Sequence, residues 1–148
     1  MRNCENGWKK VVSLGKTQCL KYIGEHEAGK AASECSFQNA KLPLPTNEQE
    51  NLNLKEALFY LEIPIIDGKR RAVLDASDHV KEGEWRSSDG NLLSFSDWGA
   101  NEGPYNKRNP LIEDHVTLYV PETEETGLTT HWADYSSRTV VTVVCVKG

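Results

Sequence analysis

The chain has 148 residues, with 17 basic against 22 acidic side chains, a net charge of −5, 38% hydrophobic residues and 8% aromatic ones. That length suits one domain with a substantial core, and the composition fits a polar, loop-rich globular protein rather than a disordered one. The acidic balance argues against a general binder of nucleic acid or anionic membrane, and no apolar run approaches the roughly 20 residues of a membrane span.

Cys4-x-x-Gly7-Trp8 opens the chain, followed by Val11-Val12 and then Cys19-Leu20-Lys21-Tyr22-Ile23. This reads as a strand, a turn at Gly15 and a second strand. Cys4 and Cys19 would face each other across that hairpin and staple an edge that is weak in apolar residues. Four cysteines suit two disulfides, and by count alone three pairings are open. None falls in a C-x-x-C pair, so redox and zinc-ribbon readings lack support and secretion is expected. Met1-Arg2-Asn3-Cys4 does not read as a signal peptide, so the chain reads as a mature form.

Residues 26–40 read as a helix, with Ala28, Ala31, Ala32, Cys35 and Ala40 near 3.6-residue spacing on a small-residue face, ended by Pro43 and Pro45. A second helix starts with Thr46 as cap and Gln49 completing a capping box. Leu52, Leu54, Leu58, Phe59 and Leu61 form its buried side, and Pro64 stops it. Asp67-Gly68 and Asp89-Gly90 are turn signals. The cluster Lys69-Arg70-Arg71 after the first reads as a solvated turn rather than a phosphate cradle.

Ala72-Val73-Leu74 is a short buried strand, followed by an acidic loop from Asp75 to Glu84. From Glu84 to Asn106, Trp85 lies before the Asp89-Gly90 turn, and Leu92, Leu93, Phe95 and Trp98 follow it. An irregular loop bounded in this way packs its apolar residues onto a core. Beyond Trp98 the chain turns polar, with Asn101, Glu102 and Asn106 around Pro104. Val116 to Val120 alternates as a strand, residues 121–131 form a polar turn with Gly127, and Trp132-Ala133-Asp134 leads to a β-branched run from Thr139 to Val146.

The order of elements favours an α+β fold, with helices flanking a small antiparallel sheet. The loop region of about residues 75–114 is too long for a mere connector, and such loops carry function. Catalysis finds no support. His26, His79, His115 and His131 make no H-E-x-x-H pattern, no G-x-S-x-G elbow exists, and nothing sets a second carboxylate at glycosidase distance from Asp75 and Asp78.

Taken together, the cysteines, Trp8, Trp85, Trp98 and Trp132 resemble a C-type lectin-like domain across almost the whole chain. Cys4-x-x-Gly7-Trp8 with Cys19 is similar to the N-terminal hairpin of the family's long form. Gly83-x-Trp85-x-x-x-Asp89-Gly90 with Asp97-Trp98 resembles its long-loop signature. Glu113-Asp114-His115-Val116 resembles its Glu-Asp-Cys-Val, and Trp132-Ala133-Asp134 its Trp-Asn-Asp. The resemblance implies one domain over residues 1–148, no enzymatic activity, and disulfides Cys4–Cys19 and Cys35–Cys145. A further family disulfide is missing in both halves, which read His115 and Ser137.

The family holds sugars directly on a Ca²⁺ ion, a hard cation that takes six to eight oxygen ligands. By resemblance Glu102, Asn106, Glu113 and Asp134 would hold the ion and hydrogen-bond the sugar, and Trp98 or Tyr105 would offer an aromatic surface. Gly103 intrudes before Pro104, and Ala133 stands where the family has an amide ligand. Glu102 with an amide at Asn106 leans towards mannose-like sugars. An auxiliary Ca²⁺ site would use Asp78, Glu82, Glu113 and Asp114, since four converging acids repel unless an ion lies between them. Two functions follow as expectations. One is a secreted module binding a glycan or glycoprotein through Ca²⁺. The other is a Ca²⁺-independent module of the same fold binding a protein or other non-sugar ligand. Neither involves nucleic acid or membrane insertion.

Overall fold

Val141, Val143 and Cys145 turn to one side of the last strand, Val144 and Val146 to the other, and both sides are packed. The sheet therefore lies inside the molecule. In a computed structural model the chain is described at residues 4–13, 16–66, 68–78, 80–81, 83–99, 102, 115–120 and 130–147. The strands are β1 (Lys9–Ser13), β2 (Lys16–Glu27), β3 (Arg71–Ser77), β4 (His115–Tyr119), β5 (Trp132–Tyr135) and β6 (Val140–Lys147). The helices are α1 (Ala31–Ser36), entered through a 3-10 turn at Ala28–Lys30, and α2 (Glu48–Tyr60).

The six strands form one sheet in the order β1-β2-β6-β3-β4-β5. The class is α+β as expected, but the sheet is mixed rather than wholly antiparallel. β3 runs parallel to β6 at Ala72 and Thr142, and every other neighbouring pair is antiparallel. Ala28, Ala31, Cys35 and Leu42 pack with Val73, Val141, Val143 and Cys145 on one face. Leu58 of α2 packs with Leu20, Leu74, Leu118, Trp132 and Val144 on the other.

The first helix is shorter than the small-residue pattern predicts. Glu25, His26 and Glu27 remain strand, paired with Thr142, Val141 and Val140, because β6 offers a ladder there. Helix α1 ends at Ser36, well before Pro43, and the chain leaves through Asn39 at φ 55°. Among the alanines expected on its face, Ala32 is exposed and Ala40 lies beyond the helix. The second helix is capped one residue late. Asn47 is the N-cap and accepts from Glu50 N at 2.9 Å, whereas Thr46 donates its N–H and hydroxyl to the Glu50 carboxylate.

Both disulfides form, Cys4–Cys19 and Cys35–Cys145. Cys4 does not sit opposite Cys19 in the hairpin, because Lys10 takes that ladder position. Cys4 instead precedes β1 in a segment that turns at Gly7 and donates Trp8 N–H to Glu5 O at 3.0 Å. The expected turns at Gly15 and Gly127 lie outside the described residues, as does Asp67 of the Asp67-Gly68 turn. No described helix is long and apolar enough to cross a membrane.

Candidate functional site

The long loop is tied to the sheet at three levels. Ser77 and Arg86 exchange backbone hydrogen bonds of 2.9 and 2.8 Å, which extends β3 into a tight turn. Gly90 closes the next turn, between Arg86 and Leu92, at φ 89°, a conformation costly for any residue with a Cβ. The Asp89 carboxyl is held below its usual range chiefly by the Ser87 hydroxyl, then by Asn91 N–H. Trp85, Phe95, Trp98 and Trp132 then stack inward. The Trp85–Trp98, Phe95–Trp132 and Trp98–Trp132 ring centroids are 4.9, 5.7 and 6.0 Å apart. Each such pair adds about 0.5–1.5 kcal/mol beyond its burial. Trp98 thus packs between two other indoles while staying partly exposed.

Residues 97–99 run parallel to β5, with Trp132 N donating to Asp97 O at 2.7 Å and Gly99 N to Trp132 O at 2.9 Å. A Cβ on Gly99 would meet Trp132 O at 3.4 Å and His131 Cβ at 3.5 Å, ordinary contact distances, so this approach does not itself require glycine. Below the ladder is a polar network that the sequence reading missed. Asn51 donates to Asp97 Oδ2 at 2.9 Å and accepts from Trp132 Nε1 at 2.9 Å. Lys55, only 3% exposed, reaches Asp97 Oδ2 at 3.4 Å and the Thr130 carbonyl. His131 Nδ1 meets Asp97 Oδ1 at 2.9 Å. Asn51 and Lys55 share the face of α2 that carries Leu58, spaced i, i+4 and i+7. That spacing was the available signal, because polar residues on an apolar stripe need buried partners.

This frame delivers Glu102 to Asp134. Glu102 N donates to Gly99 O at 3.2 Å, and Glu102 Oε2 accepts from Asp134 N at 3.3 Å. Asp134 is 3% exposed and pairs with Val116 of β4. Its side chain shares the Trp132 side of β5, towards the loop, while Ala133 points the other way and is buried. Asp78 is buried at the end of β3, and its Oδ2 accepts from Gly83 N at 2.9 Å, closing its own turn. Asn106, Glu113, Asp114 and Glu82 lie outside the described residues, as do Tyr105 and Gly103. Of the expected ligands, Glu102 and Asp134 are brought together. Among the described residues no group of three or more His, Cys, Asp or Glu is placed to hold a metal ion.

No protein-family model matches the sequence, and no curated protein matches it. Solved structures match closely in shape. The human scavenger receptor C-type lectin carbohydrate-recognition domain superposes with a TM-score of 0.72 at 18% identity, over 98% of this chain and 98% of that one. Human lithostathine gives 0.72 at 20% identity, over 97% and 90%. A calcium-independent type II antifreeze protein gives 0.69 at 16% identity, over 99% and 95%. The fold of this chain is C-type lectin-like.

Proposed function

We propose that this chain is a secreted, non-enzymatic recognition domain, spanning residues 1–148, that binds glycans through a calcium ion on its long-loop face. The observation that carries this reading is the meeting of Glu102 and Asp134 from segments 32 residues apart, with Glu102 Oε2 on Asp134 N. Both carry hard oxygen donors of the kind calcium takes, and the Asp134 residue is buried. A bound calcium ion would supply a centre that accepts vicinal sugar hydroxyls. Glu102 and Asp134 would hold it, with Asn106 and Glu113 as proposed further ligands, and Asp78, Glu82 and Asp114 with Glu113 as a proposed auxiliary set. The two disulfides support secretion, since such bridges persist in oxidising compartments.

The Glu102→Gln variant keeps the side chain's size and removes its charge. It is expected to abolish retention on a mannose column in calcium buffer while its melting temperature without calcium stays near wild type. Unchanged retention would remove Glu102 from the site.

A second reading has its own observation. Ala133, at the position of the family's amide ligand, is 3% exposed and supplies no side-chain oxygen. One structural neighbour is described as a calcium-independent antifreeze protein. On this reading the loop face binds a protein or other non-sugar ligand, and EDTA leaves that binding intact.

A further inference from the structure

Arg71 opens β3 as a cation that is 7% exposed, and among the described residues it has no carboxylate partner. Its guanidinium carbon lies 4.2 Å from the centre of the Tyr135 ring. Tyr135 and Tyr119 sit with ring centroids 6.5 Å apart and their hydroxyls hydrogen-bonded to each other. Lys69 Nζ stands 6.0 Å from the Tyr119 ring centre. The register explains the gathering. Arg71 pairs with Tyr119, Thr117 pairs with Ala133, and Tyr135 lies two residues further along β5, so all share one side of the sheet. Thr117, fully buried between the two tyrosine positions, has a hydroxyl with no hydrogen-bond partner among the described residues.

The ring contact and the hydrogen bond of Arg71 to the Tyr135 hydroxyl give the guanidinium no opposite charge. Burying a cation costs more than a single desolvated cation–π contact returns. An anion would close that gap. We propose that Arg71, Lys69, Tyr119 and Tyr135 form a binding site for a tetrahedral oxyanion, a sulfate or phosphate group, on the sheet face opposite Glu102 and Asp134. Two cations with neutral phenols match a doubly charged anion. The planar guanidinium fork suits two of its oxygens, and the ammonium suits a third. In the tyrosine pair one hydroxyl donates to the other, and the second keeps its own hydrogen for a ligand. Burial, then the Tyr119 hydrogen bond, pushes Tyr135 well above the ordinary phenol range, so it stays a neutral donor at physiological pH.

The test is a titration of the intact chain with sodium sulfate against sodium chloride at matched ionic strength, followed by the Arg71 Nε–H resonance and by thermal melting. A saturable shift with sulfate, absent with chloride, is expected. Arg71→Met should weaken it by at least about tenfold while melting no lower than wild type in chloride, because it removes a buried unpaired charge at similar volume. Tyr119→Phe keeps both charges and should weaken sulfate by a few fold, a second readout should Arg71→Met fail to fold. Inorganic phosphate and a sulfated monosaccharide, run alongside, separate a site for the bare ion from one for an ester. The proposal is overturned by an equal sulfate response in Arg71→Met. It is equally overturned by the lack of saturation in wild type, as when a carboxylate of the chain itself fills the position.

Discussion

Asn51 is an amide inside a helix, 2% exposed, clamped between the indole N–H of Trp132 and the carboxylate of Asp97. Replacing it with leucine would leave the buried indole N–H without an acceptor. An orphaned buried donor costs about 1–3 kcal/mol. We expect Asn51→Leu to lose that much stability in urea denaturation, and a loss under half a kcal/mol would mean the network is dispensable. At this scale the sequence was legible where a residue type has one use. Trp132 and Asp134 could be placed from their motif, and the cysteines paired as the resemblance implied. Asn51 and Lys55 were not legible, because the buried side of α2 was read from its leucines. A polar residue on that side is explained only by partners 42 to 81 residues away.

At the level of elements, the start of α2 shows how two overlapping signals compete. Thr46 with Gln49 and Asn47 with Glu50 are both capping pairs, and the second frame wins because Thr46 then also reaches the Glu50 carboxylate. Asn47→Ala should cost about 1 kcal/mol, measured by denaturant midpoint at constant slope. The Glu50 carboxyl is held below its usual value first by the Thr46 hydroxyl and then by the Thr46 N–H. A folded value below the unfolded one means the stabilisation is complete above the ordinary carboxylate range. It is lost as pH falls through the folded value. The stability difference between wild type and Glu50→Gln should therefore be constant near neutrality and shrink below about pH 4, and a difference independent of pH would contradict the hydrogen-bonded carboxylate. The late start of the predicted helix has a similar cause. The alanines fit a helical face, but the ladder with β6 claims Glu25 to Glu27 for strand.

For the molecule as a whole, class and helix count could be read from the order of elements, while the strand order could not. The parallel junction of β3 with β6 joins Ala72 to Thr142, a pairing that no local pattern encodes. The same long reach makes the two disulfides unequal. Cys35–Cys145 closes a separation of 110 residues between α1 and β6, and Cys4–Cys19 one of 15. Chain-entropy estimates give about 4.7 kcal/mol for a loop near 100 residues and about 3 kcal/mol for 15. The paired serine replacement of Cys35 and Cys145 should thus destabilise more than that of Cys4 and Cys19, and the reverse order in equilibrium denaturation would contradict the entropic account. The loop face is where reading the sequence reached least far, since Glu102 and Asp134 meet only through the frame of residues 97–99 against β5. Whether that meeting serves an ion is decided by calorimetric titration of EDTA-stripped protein with Ca²⁺, with a melting curve at each end. We predict saturable heat and a raised melting temperature, since a ligand that binds the native state stabilises it by mass action. No heat and no shift at millimolar Ca²⁺ would contradict the calcium-held glycan site and leave the calcium-independent reading in its place.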